Sequence, residues 1–229
     1  MTPDPGSAVR LSLIVGCVST LAMLVPALAC GWALARWRFR GRTLLSGAVL
    51  VPLVLPPVVT GLLLVRLFGR TSPVGSALAA AGWPVTFSLA GAVVAACVVG
   101  FPLYVMAIRS AFEAVDPRLE EVSWTLGVPP RRTFLRVTLP LALPGIAAGM
   151  VLAFARGLGE FGATAIIAGN MEGRTRTIAL AVYALLDAPD GEAQMQELLS
   201  ASVGVSILAL VAFETLNRWQ RRRIEGDRG

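Results

Sequence analysis

The sequence contains no histidine and no lysine, so all twenty basic residues are arginine. Without histidine the commonest general base and metal ligand is missing. No serine, cysteine or aspartate sits beside a substitute base, which argues against a membrane-embedded enzyme. Cysteine is scarce: Cys17, Cys30 and Cys97 are scattered singly through apolar runs. That spacing supports neither a disulfide framework nor a metal site. No glycine-rich phosphate cradle ending in lysine is present, so an ATP site on this chain is not expected. No inverted internal repeat and no series of intramembrane carboxylates appears, which argues against a secondary transporter or channel.

What is abundant is apolar sequence. Of 229 residues 55% are hydrophobic, and the mean hydropathy is +0.72. Several runs exceed the length needed to span a bilayer. The expected fold is all-α, a polytopic membrane helical bundle in a single domain over residues 9–216, with a basic tail over 217–229. Five spans are expected, at about Val9–Ala35, Leu44–Phe68, Val85–Ile108, Leu141–Ala168 and Leu199–Thr215. A bend or re-entry between Ala147 and Ala168 would make a sixth crossing. Ala27-Leu28-Ala29-Cys30 faintly resembles a lipoprotein cleavage site, but the apolar run continues past it and it is taken as span interior. A short helix is expected from Thr177 to Leu186.

Charge orients the chain. Fourteen of the twenty arginines fall in segments 36–42 and 109–136 and in the tail from 218. With five crossings these lie on one side, which the positive-inside rule makes cytoplasmic, leaving the N-terminus outside and the C-terminus inside. Asp4, Glu172, Asp187, Asp190, Glu192 and Glu197 fall opposite. The net charge of +6 is therefore read as topology, with no nucleic-acid partner.

The segment Glu113–Ile146 is a charged island between long apolar runs. Asp116 suits an N-cap and Pro117 the first helical position. Glu120 and Glu121 favour the positive end of a helix dipole. Leu119, Val122, Ser123 and Leu126 share one less polar face. Gly127 suits a left-handed C-terminal position, and Pro129 and Pro130 prevent continuation. A short helix over Pro117–Leu126 follows. A further turn or two is expected at Arg131–Val137, basic through Arg131, Arg132 and Arg136 and apolar through Phe134 and Val137. Such a pair could lie on the bilayer surface or dock on a partner.

Two apolar runs carry features of their own. In the second, Pro52, Pro56 and Pro57 must kink or unwind the helix. Broken backbone should face protein or a wet cavity. The prolines shape packing or line a path, with Thr60 the polar contact. In the fourth, Arg156 and Glu160 are opposite charges at i, i+4, expected on one helix face and turned toward protein or water. They form a structural bridge that fixes a bend, or part of an external gate; the two roles are compatible.

Glu121, Val122, Ser123 and Gly127, followed by Val137, Leu139 and Pro140, resemble the "EAA…G…I-LP" loop of ABC-importer permeases, with Val122 and Ser123 in place of two alanines. The stretch Gly159–Thr164, then Ala168-Gly169-Asn170, Thr175-Arg176-Thr177 and Ala181-Val182-Tyr183, with Pro56–Gly61, resembles the molybdate branch of the sulfate/molybdate permease family. The likeness spans roughly Leu11 to Leu216. It implies ATPase-coupling roles for Glu120, Glu121, Gly127, Arg131, Leu139 and Pro140. It places Pro56, Pro57, Thr60, Arg156, Glu160 and Thr164 in the translocation path or gate. It also implies a permease homodimer, two cytosolic ABC ATPase subunits holding ATP and Mg, and an external binding protein for molybdate or tungstate. No cofactor is then bound by this chain, and the site is a bacterial cytoplasmic (inner) membrane. A sulfate permease is the alternative within the family, sharing Gly159–Gly162.

Overall fold

Proline begins many of the helices, because its fixed φ and missing N–H cost nothing in the first turn. In the computed structural model, which describes residues 5–186 and 192–225, α1 is Pro5–Arg36, α2 Arg42–Val54, α3 Pro57–Phe68 and α4 Pro73–Ala80. Then follow α5 Leu89–Glu113, α6 Pro117–Thr125, α7 Pro130–Thr133 and a π-helical turn Phe134–Thr138. That turn runs into α8 Leu139–Leu158, followed by α9 Gly162–Ile167, α10 Ile178–Leu185 and α11 Glu192–Glu225. No strand occurs among the described residues. Asp4, Asp187, Asp190 and Arg228, counted above in the charge distribution, lie outside them.

Helix α5 is the central post, packed against α1 and α8, with α11 laid along α8. Their contact surfaces are rich in small residues. Ala27, Ala111, Ala142 and Ala153 are buried with Tyr104, Ile108 and Phe112. Ala92, Ala95, Ala96 and Ala163 are buried with Val15, Val99 and Ile167. Small side chains let apolar helices approach closely when lipid offers no hydrophobic gain from association.

Among the described residues, four helices are individually long and apolar enough to cross a membrane, and α2 with α3 passes the same test as a pair bent by 109°. The contacts decide whether that pair carries the chain across. Arg36, ending α1, bonds the carbonyl of Val115, just beyond α5, and Arg42 pairs with Glu113 at 3.7 Å. The C-terminal ends of α1 and α5 therefore lie at one end of the bundle. Since α5 starts at the other end, α2 and α3 together must make the crossing. At that other end Ile178 N–H donates to the Ser12 hydroxyl and Phe87 N–H donates to the Ile167 carbonyl. Among the described residues the chain passes between the two ends five times.

The second span takes the unwound of the two expected forms: α2 and α3 are separated at Leu55–Pro56, because Pro56 and Pro57 bring no N–H to the carbonyls of Pro52 and Leu53. Two expectations need correction. The turns around Arg131–Val137 are not a separate element. They are the start of the fourth span, continuous through the π turn over Pro130–Leu158, since Pro130 is accommodated as a first helical residue. That span ends at Leu158 rather than continuing to Ala168. Gly159 closes it, and the short α9 turns back into the bundle without crossing. Helix α4 was not anticipated in the 69–84 loop. It is capped by Ser72, whose hydroxyl accepts from Gly75 N–H at 2.9 Å.

Candidate functional site

The charged segment hangs from the end of the bundle where α1 and α5 terminate. Asp116 caps α6, its carboxylate accepting from Arg118 N–H at 2.9 Å. Gly127 has φ +79°. Its N–H donates to Trp124 O and that of Val128 to Ser123 O, the paired bonds that close a helix through a left-handed residue.

Helix α6 has two distinct sides. On the inner side, the Ser123 and Thr133 hydroxyls are bonded at 2.9 Å and buried. Glu120 is turned inward as well. Its Oε1 lies 3.1 Å from Arg36 Nη2 and accepts from the Thr138 hydroxyl at 2.9 Å. On the outer side Glu121 is exposed and Leu119, Val122, Trp124 and Leu126 present large apolar surface. Of the four residues expected on one less polar face, only Ser123 is buried, while Leu119, Val122 and Leu126 are exposed. Arg131, on α7, is exposed. Leu139 instead packs on the main core, while Pro140 is exposed at the base of α8. Phe134 sits with Trp32 and Phe112 in an aromatic cluster, at ring separations of 5.5 and 6.0 Å.

The second set of residues assembles at the helix breaks. Pro56 and Pro57 are exposed and Thr60 is buried. Helix α3 lies against α9 so closely that a Cβ on Gly61 would come within 2.9 Å of Ala163 Cα, and one on Gly162 within 2.7 Å of Pro57 Cβ. The two motifs, about a hundred residues apart in sequence, are therefore in direct contact. Thr164 is buried on α9. Arg156 Nη2 and Glu160 Oε2 are 3.0 Å apart, and Glu160 Oε1 accepts from Ala163 N–H at 2.8 Å.

Arg156 and Glu160 do not share a helix face, because α8 ends between them. The carboxylate spans the break: one oxygen holds the end of α8, the other caps the start of α9. With only 2% of its side chain exposed, Glu160 has both oxygens engaged, as a buried charge requires.

Sequence reasoning missed Arg36, which it counted only toward topology, and Thr138. Their partners lie far along the chain, and neither residue stands in a periodic or capping pattern that would mark it. Gly61 was visible as part of a motif, but not as a contact point.

Comparison with known proteins agrees along nearly the full chain. The family described as "Binding-protein-dependent transport system inner membrane component" matches residues 27–226. The chain is similar to the molybdenum transport system permease protein of Escherichia coli K12, with 45% identity over 97% of this chain and 98% of that one. With its counterpart in Haemophilus influenzae it shares 43%, over 95% and 96%. With the sulfate transport system permease protein of Salmonella typhimurium it shares 34%, over 98% and 80%. Among solved structures it resembles an inward-facing methionine ABC transporter, with a TM-score of 0.74, 19% identity and coverage of 93% and 94%. It also resembles an alginate ABC transporter crystallised with its periplasmic protein, with a TM-score of 0.68, 18% identity and coverage of 95% and 78%.

Proposed function

The chain belongs to the family of binding-protein-dependent transport system inner membrane components, and on that premise we propose the following account of its work. It is the transmembrane permease subunit of an ATP-driven importer that carries molybdate across the bacterial inner membrane. It is not itself an enzyme, and ATP is hydrolysed on a separate subunit. The similarity to molybdenum permeases over almost the entire length of both chains carries the choice of cargo.

Two copies of this chain form the path, two ABC ATPases carry ATP and Mg, and an external binding protein delivers the anion. Helix α6 docks in a groove of the ATPase with its outer side, where Glu121 and the apolar Val122, Trp124 and Leu126 are exposed. Gly127 fixes the angle at which the chain leaves the docked helix, and Arg131 borders the contact. ATP-driven closure of the ATPase pair draws the two α6 helices together and turns the path outward; hydrolysis returns it inward. At the far end, Pro56, Pro57 and Thr60 on one break and Arg156, Glu160 and Thr164 on the other form the external gate. The pairing of α3 with α9 supports this, since any opening there must move both breaks together.

The end carrying α6 faces the cytosol, because most of the arginines cluster there. Cysteine labelling in a cysteine-free background tests this at Ser76 and Thr125. An impermeant reagent added from outside should modify position 76 and spare 125; the reverse pattern would invert the orientation.

Cargo is tested by uptake into vesicles containing the permease, ATPase and binding protein, comparing labelled molybdate, tungstate and sulfate. Molybdate should accumulate with ATP, and tungstate alongside it. Preferential sulfate uptake would replace this reading with the sulfate one, which the 34% identity to a sulfate permease keeps in view.

A further inference from the structure

Three elements meet on one carboxylate oxygen. Arg36 is the last residue of α1, Glu120 lies in the first turn of α6, and Thr138 closes the π turn at the base of α8. Arg36 Nη2 is 3.1 Å from Glu120 Oε1 and 2.9 Å from the Val115 carbonyl. Thr138 donates its hydroxyl to the same Oε1 at 2.9 Å. Both charged side chains are 14% exposed, so these charge-assisted bonds are largely sheltered from water and geometrically defined. The other inner-side bond, Ser123 to Thr133, ties α6 only to its neighbour in sequence. Without the three-way contact, α6 would still fold and keep its outer side, but it would lose its link to α1.

Resting on the reading of α6 as the coupling element, we infer that Arg36, Glu120 and Thr138 form a mechanical joint that passes displacement of α6 to α1 and α8 together. Glu120 is then a positioning residue that faces this chain, and Glu121 is the acidic residue offered to the ATPase. The π turn stands where the joint meets α8. Such turns interrupt the regular ladder and recur at functional sites. A rigid helix moved at one end carries its other end with it, so α8 brings the motion to Arg156 and Glu160.

The test uses the full complex in proteoliposomes and reads molybdate imported per ATP hydrolysed. Glu120→Gln and Arg36→Gln should each lower that ratio at least about fivefold, the lower end of ordinary coupling between sites. The double variant should be no lower than the worse single, because the residues act as one unit. Unchanged ratios in both singles, or losses that multiply in the double, would overturn the joint. Thr138→Val and Thr138→Ser keep the local shape while removing or retaining the hydroxyl; the ratio should fall only in the first, and equal ratios count against the joint. If the wild-type complex hydrolyses ATP yet imports no molybdate, the cargo assignment fails instead. Hydrogen exchange of residues 116–127 in the purified complex then scores the joint alone. Exchange should rise alike in Glu120→Gln and Arg36→Gln, and no rise contradicts it.

Discussion

Two short helices, α6 and α9, stand at opposite ends of the bundle, and each is held by a glutamate paired with an arginine. At α9 the partners are four residues apart, and the acid is the more deeply buried, with side-chain exposures of 27% for Arg156 and 2% for Glu160. At α6 the partners are 84 positions apart in sequence and equally sheltered, each 14% exposed. The first arrangement fixes a local reversal of the chain. The second fastens three distant elements and leaves the outer side of the helix exposed. On the account proposed above, the same kind of ion pair serves shape at one end and transmission at the other.

The comparison breaks most visibly at Glu160. Glu160→Ala leaves Arg156 unpaired and frees the cap of α9. Losing one member of a buried pair typically costs about 3–5 kcal/mol, whereas replacing both can be nearly neutral. Thermal unfolding of the solubilised protein should therefore show Glu160→Ala as more damaged than Arg156→Met with Glu160→Met; equal damage would sink the pairing. A smaller effect is expected at the contact of α3 with α9. Gly162→Leu forces a side chain against Pro57 and should cost roughly 1–3 kcal/mol, the usual range for overpacking. Gly47→Leu, where a Cβ would meet nothing within 4 Å, should leave the unfolding midpoint unchanged. The smallest change is expected at α6. Ser123→Ala removes one hydroxyl partner of Thr133, and a typical net hydrogen-bond loss is about 1 kcal/mol. Uptake should fall only modestly, well short of the loss in Glu120→Gln; an equal loss would mean that α6 needs attachment of any kind rather than the link to α1.

The sequence made local features legible. Asp116, Pro117 and Gly127 announced both ends of α6 to within a residue, and Ile178–Leu185 formed where a short helix was expected. These rest on capping and φ preferences, which act over a few residues. What escaped depends on distant partners. The meeting of Arg36 with Glu120 needs α1 and α5 to end at the same level, which no local pattern encodes. The fusion of Pro130–Thr138 with α8 was hidden because proline reads equally as a stop and as a start. Arg156 and Glu160 were rightly seen as neighbours by spacing, yet the helix that was to carry both ends between them.

The account's central claim is that α6 delivers the ATPase stroke, and Gly127 tests it most directly. No neighbour in this chain crowds a Cβ at that position, but its φ of +79° is left-handed. An L side chain there costs about 1–2 kcal/mol, enough to tilt the docked helix without preventing insertion. In Gly127→Asp, membrane insertion should stay normal. Uptake of molybdate should be lost, and either ATPase recovery or binding-protein-stimulated ATP hydrolysis should fall with it. A variant that assembles normally and supports full ATP-driven uptake would show that α6 is not the coupling element.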